Sequence, residues 1–201
     1  MAAPLSNRMG HVQLEVPLVE DWTKWAAEEN LDVRVIGYLN AFPSVIYQFD
    51  TRVKEKAFCT PRSWEFVSDL IKDIPTGDLA KIKLYASTLV GHGDAVKFTS
   101  FLKLRKDLKP IKYYFEHSDK ATLPEKTDLL WALITSIVEY YRTHDDLTTF
   151  KQYIGLMKKF PEEYAVFTLK MTYSFDPKIQ KKLEKVPEAN KLAQKLWKFI
   201  M

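Results

Sequence analysis

The sequence predicts an all-α protein, a multi-helix bundle carrying one short strand near its start. Between its ten prolines the apolar residues recur mostly at three- and four-residue spacing, which is the helical period. The exception runs from His11 to Val16, where Val12, Leu14 and Val16 alternate with Gln13 and Glu15 until Pro17 ends the run. With 46% hydrophobic and 13% aromatic residues in a chain of 201, there is enough apolar surface to build a real core, which excludes a disordered chain. A lone strand buries its polar backbone only by pairing, and nothing later in the chain offers an obvious partner.

After Pro17, Trp22, Trp25 and Ala26 stand at helical spacing within Val19 to Glu29, and Val35, Ile36, Leu39 and Phe42 do so within Val33 to Phe42. Pro43, the stretch Tyr47 to Phe49 and the charged residues Asp50 to Lys56 read as an exposed connection. Thr60-Pro61-Arg62-Ser63 then opens a helix, with Thr60 as its cap and Pro61 at the first helical position, and Trp64, Val67, Leu70 and Ile71 form its buried stripe. Asp78 to Val90 continues the pattern until Gly91-His92-Gly93-Asp94 interrupts it, and a further helix is expected from about Asp94 to Arg105. Lys106 to Lys126 is polar and holds Pro110 and Pro124, so it reads as a connection with one short turn around Tyr113 to Phe115. Asp128 to Arg142 is apolar nearly all round and is expected at the centre of the fold. Asp146 to Phe160, Glu162 to Tyr173 and Glu188 to Ile200 complete the helical count.

The formal charge of +4 is mild for a chain with 28% charged residues, so nucleic acid binding is not implied. The richest basic stretches, Lys103 to Lys112 and Lys178 to Lys185, read as solvated helix faces. No stretch approaches the twenty or so uncharged apolar residues of a membrane span, since Leu129 to Tyr141 is broken by Thr135, Ser136 and Glu139. The start lacks the basic and apolar runs of a secretory signal. A single cysteine, Cys59, excludes an internal disulfide framework and fits a reducing compartment, so a cytoplasmic location is expected.

The motifs that mark common chemistries are missing. There is no G-x-x-x-x-G-K-[ST] phosphate loop, so the chain alone has no standard cradle for a triphosphate. The Gly91 and Gly93 pair has no following lysine and suits a tight turn or close helix approach. H-E-x-x-H, C-x-x-C and G-x-S-x-G are absent too. His11, His92, His117 and His144 are too far apart in sequence to suggest a ligand pair, and no metal site is expected. Cys59 lies just before a helix start, where a dipole lowers a thiol pKa, but no histidine stands nearby in sequence and a structural role is expected. Trp22, Trp25, Trp64, Trp131 and Trp197 sit on apolar stripes and are expected to build cores.

Several segments, taken in order, resemble the MoxR-like branch of the AAA+ ATPases. They are Leu5-Ser6-Asn7-Arg8-Met9-Gly10-His11 leading into the strand, Glu20-Asp21-Trp22, and Thr60-Pro61-Arg62-Ser63-Trp64-Glu65. Leu89-Val90-Gly91-His92-Gly93-Asp94-Ala95-Val96-Lys97-Phe98 and Tyr153-Ile154-Gly155-Leu156-Met157-Lys158-Lys159-Phe160-Pro161 continue the match. The resemblance implies that the sequence begins after the phosphate loop and acidic metal site of such an ATPase. Residues 1–16 would be the last core strand, 17–106 the helical lid and 107–201 a C-terminal helical subdomain.

By the same resemblance, Arg8 falls where these ATPases place an arginine finger and Arg62 where they carry a second sensor arginine that contacts bound ATP. A guanidinium suits both tasks because it cannot lose its proton and stabilises growing phosphate charge. The plainer alternatives are a solvated N-terminal arginine for Arg8 and, for Arg62, a first-turn arginine paired with Glu65 or solvent. ATP and magnesium are implied only for the complete ATPase, and no cofactor is expected for this chain alone. The implied partners are an AAA+ core or neighbouring subunits and a von Willebrand A domain protein whose remodelling the ATPase would drive. A rival from another class is a stand-alone, non-catalytic interaction module that binds or regulates a partner, using the Val12 to Val16 strand to extend a sheet.

Overall fold

The computed structural model describes residues 15–49, 56–144, 146–176 and 178–197. Among these the chain is all-α, with eleven α-helices, two 3-10 turns and no sheet. Arg8 and most of the expected strand lie outside the described residues, and Glu15 and Val16 carry no regular structure. No helix among the described residues is long and apolar enough to cross a membrane.

Helix α1 (Val19–Glu28) places Glu20 and Asp21 in its first turn, where they complement the dipole, and buries Trp22, Thr23, Ala26 and Ala27. It ends in a Schellman motif: Asn30 takes φ 55°, Leu31 N–H reaches Ala26 O at 2.9 Å and Asn30 N–H reaches Ala27 O at 3.1 Å. Trp25, expected in the core, is instead 37% exposed. It stands three residues beyond Trp22, at the edge of the buried stripe, and rests against that ring with centroids 6.0 Å apart.

Asp32 caps α2 (Val33–Ala41), a helix buried from Arg34 through Leu39. Two residues later the 3-10 turn Pro43–Val45 begins the connection to α3 (Pro61–Ile71). That connection is not wholly irregular, since Gln48 forms an isolated antiparallel bridge with Cys59. Helices α4 (Leu79–Val90) and α5 (His92–Lys103) pack on each other through a single linking residue, Gly91, whose φ of 86° favours glycine. Helix α5 therefore starts two residues before the expected Asp94, because one left-handed residue suffices to turn the chain.

A second 3-10 turn, Leu104–Asp107, leads to α6 (Ile111–Glu116) and then to α7 (Thr127–Thr143). As expected, α7 is central: residues 131–138 are buried without a break, and it touches α2, α5, α6, α8 and α9. Its contact with α2 is close because Gly37 has no side chain; a Cβ there would stand 2.2 Å from Thr135 Cγ2.

Asp146 caps α8 (Leu147–Met157), and α9 (Glu162–Phe175) follows Pro161. The basic stretch beyond is helical, forming α10 (Ile179–Lys185), and α11 (Pro187–Trp197) closes the described chain. Lys182 departs from the solvated face expected of that stretch. It is buried and donates to Asp176 Oδ2 at 2.8 Å and to the Tyr141 hydroxyl at 2.9 Å, so an ion pair ties α10 to the end of α9 and a hydrogen bond ties it to α7. The helices on both sides of residue 107 contribute to one continuous cluster of buried side chains.

Candidate functional site

Arg62 sits in the first turn of α3, and the local sequence dictates that turn. Thr60 Oγ1 accepts from Ser63 N–H at 3.0 Å while Ser63 Oγ accepts from Thr60 N–H at 2.8 Å, a reciprocal capping box. Trp64 fixes the helix from behind, being fully buried and donating from Nε1 to Val45 O at 2.8 Å. Arg62 is left facing solvent, with no hydrogen bond or ion pair to any described residue. Glu65, its expected neutralising neighbour, does not take that role. Phe66 and Leu70 follow Arg62 at four-residue intervals and are each 47% exposed, so one face of α3 combines a free guanidinium with bare apolar side chains. Near the foot of the helix the exposed rings of Phe49 and Phe58 lie 4.9 Å apart.

At the other end of α3 lies a polar network that sequence reasoning missed. Arg34 is 3% exposed, yet all its nitrogens are used. Nε donates to Asp32 Oδ1 at 2.8 Å and Nη2 to Asp32 Oδ2 at 2.5 Å, while Nη1 reaches Ile74 O and Nη2 reaches Ile71 O, both at 2.7 Å. Arg34 thus satisfies carbonyls at the end of α3, the groups that a helix leaves without partners. Burial disfavours its charge, but the hydrogen bond and attraction of Asp32, with Glu139 beyond, outweigh this and raise its pKa. The network continues through Thr76, which accepts from Arg34 Nη1 at 3.2 Å and donates to Glu139 Oε1 at 2.9 Å. It ends at Arg105, whose Nη1 lies 2.7 Å from Glu139 Oε2 and whose Nε donates to Ser136 Oγ at 2.6 Å.

Beside this network is a cleft of about 400 Å³ where the ends of α1, α3, α7 and α9 meet the start of α2. Its walls include Leu31, Val138, Met171 and Phe175, and its polar lining includes Asn30, Lys72 and Arg142.

Of the two arginines singled out in the sequence, only Arg62 falls among the described residues. It lies on the opposite end of α3 from the cleft. Cys59 is fully buried, with its Sγ 3.8 Å from Val90 O, which fits the structural role. His117 stacks on Tyr113 and His144 on Tyr140, at centroid separations of 4.5 and 4.2 Å. Among the described residues no three His, Cys, Asp or Glu side chains are grouped so as to hold a metal ion. Comparison with known protein families, with characterised proteins and with solved structures finds no match.

The missed residues left a faint signal. Glu139 is the one charged side chain between Leu129 and Tyr141, and Arg34 the one charged side chain between Val33 and Phe42. A charge isolated within an apolar helical stretch must find a partner or be very costly.

Proposed function

We propose that this chain is the lid and C-terminal helical region of a MoxR-like AAA+ ATPase, acting beside a nucleotide held by a core outside the described residues. The observation that supports the reading best is Arg62: a guanidinium without a partner among the described residues, on the exposed first turn of a rigidly capped helix. Such a group is available to a phosphate brought by another domain, and the helix start adds to its preference for anions. The sequence carries no phosphate loop, so no step of hydrolysis is assigned to the described residues. Arg62 would contact ATP, Arg8 would reach a neighbouring subunit's nucleotide, and lid movement would drive remodelling of a partner such as a von Willebrand A domain protein.

A second reading, a non-catalytic interaction module, draws on the exposed Phe49, Phe58, Phe66 and Leu70, which suit contact with another protein. One experiment separates the two. The chain is mixed with a separately expressed MoxR-like core and ATP turnover is measured with the natural sequence, Arg62→Ala and Arg8→Ala. The ATPase reading expects stimulation that falls roughly a hundredfold or more in the variants, the scale at which such transition-state contacts act. Turnover unchanged in both variants would remove the arginine assignments. Complex formation without any effect on turnover would favour the interaction module.

A further inference from the structure

We propose that the cleft at the ends of α1, α3, α7 and α9 binds a small organic carboxylate with an apolar body. Its volume of about 400 Å³ lies in the range of ligand pockets, which are characteristically apolar with a few convergent polar groups. The charge inventory selects the sign of the ligand. Two carboxylates that line the cleft, Asp32 and Glu139, are already held by Arg34 at 2.5 Å and Arg105 at 2.7 Å. Lys72 and Arg142 also line it, and neither has an ion-pair partner among the described residues. Against these two positive charges stand Asp73, which has no ion-pair partner among the described residues, and Glu139 Oε2, which accepts no hydrogen bond although Arg105 lies beside it.

Geometry favours a planar acceptor. The Arg142 Cζ lies over the Phe175 ring, 5.6 Å from its centroid, which places the guanidinium beside the apolar wall, and a guanidinium offers a carboxylate paired N–H donors. The Asn30 carboxamide adds a donor that makes no hydrogen bond with a described residue. Leu31, Met171 and Phe175 provide the apolar wall.

Helix C-termini ordinarily attract cations, and several converge here. Two of them are neutralised internally: Arg34 fills the Ile71 and Ile74 carbonyls, and the Asn30 and Leu31 N–H groups fill those of Ala27 and Ala26. Lys72, at the C-cap of α3, is therefore not needed to satisfy that end, while Arg142 stands in the last turn of α7.

The test titrates the full chain with hexanoate, hexanamide and hexylamine, three probes of one shape and different charge, and follows backbone amide shifts by NMR. Hexanoate is expected to give saturable shifts at Leu31, Ile74 and Phe175, with a dissociation constant of the order of millimolar, as so few atoms allow. Hexanamide should bind about fivefold or more weakly, and Arg142→Gln and Lys72→Gln should each weaken hexanoate about fivefold. Both variants alter exposed side chains, and circular dichroism checks that they fold. Hexylamine binding as tightly as hexanoate, hexanamide binding equally well, variants within about twofold of the natural chain, or no saturable shift at these residues up to about 50 mM would each overturn the proposal.

Discussion

Replacing Arg34 by methionine, which keeps an unbranched apolar stem and removes the guanidinium, should cost a large share of the protein's stability. Five hydrogen bonds disappear: two to Asp32, one each to Ile71 O and Ile74 O, and one to Thr76 Oγ1. The carboxylate left behind is 6% exposed, so water cannot replace what it loses. Breaking a buried pair from one side costs about 3–5 kcal/mol. Proteins of this kind hold only about 5–15 kcal/mol in total. At roughly 2–4 °C per kcal/mol for a chain of this size, the melting temperature should fall by about 6–20 °C. Urea unfolding followed by circular dichroism at 222 nm reads the change as a lower midpoint at unchanged slope. Asp32→Asn supplies the control, because asparagine still caps α2 while lacking charge. The double variant Asp32→Asn/Arg34→Met should be more stable than the sum of the two losses by about 1–3 kcal/mol. A single-variant cost below about 1 kcal/mol, or strict additivity, would refute the account of a coupled buried pair.

The close contact of α2 and α7 predicts that Gly37→Ala destabilises by about 1–3 kcal/mol, since its Cβ would stand 2.2 Å from a buried threonine methyl. Gly93→Ala, with nothing within 4 Å, should instead stabilise by up to about 1 kcal/mol; the same urea assay compares their signs. Asp176 should make stability depend on acid pH. Burial works to raise its pKa, but the hydrogen bonds from Lys182, Tyr141 and the Lys178 N–H prevail and lower it below 3.8. A carboxylate whose folded pKa is depressed stabilises fully above its unfolded value, about 3.9, and that contribution is lost as pH falls through the folded value. The stability gap between the natural chain and Asp176→Asn should therefore narrow from about pH 5 towards pH 3, and a gap constant over that window would contradict the reading.

The helical class was legible because the period of apolar residues is a local property, and most helix spans matched to within a few residues. The cap at Thr60 and the turn at Gly91 were legible for the same reason, since each requires a particular residue at a particular place. What periodicity could not supply was the position of Trp25, which stands three residues beyond Trp22, about 60° short of a full helical turn, and so falls at the rim of the core. Nor could it supply the bridge between Gln48 and Cys59, because two single residues carry no alternation. The burial of Lys182 was hidden by its neighbours: Lys178, Lys181 and Lys185 are exposed, and only the packing of α10 against α7 distinguishes the fourth lysine from them.

The polar network was illegible for a deeper reason. Asp32 and Arg34 are two residues apart, but Arg34 owes its burial to Ile71 and Ile74, and Glu139 owes its neutralisation to Arg105. Each partner lies on another element, so the pairing exists only once helix ends meet. This arrangement bears on what α3 can do. Its C-terminal end is clamped by Arg34, and its first turn both by the Trp64 indole on Val45 O and by the reciprocal bonds of Thr60 and Ser63. A helix fixed at both ends loses little further freedom when its outer face meets a partner, so the cost of ordering is largely met during folding. Arg62, Phe66 and Leu70 are thus presented on a backbone that is already in place. A contact made at Arg62 would act on α3 together with the helices that Arg34, Thr76 and Glu139 join to it.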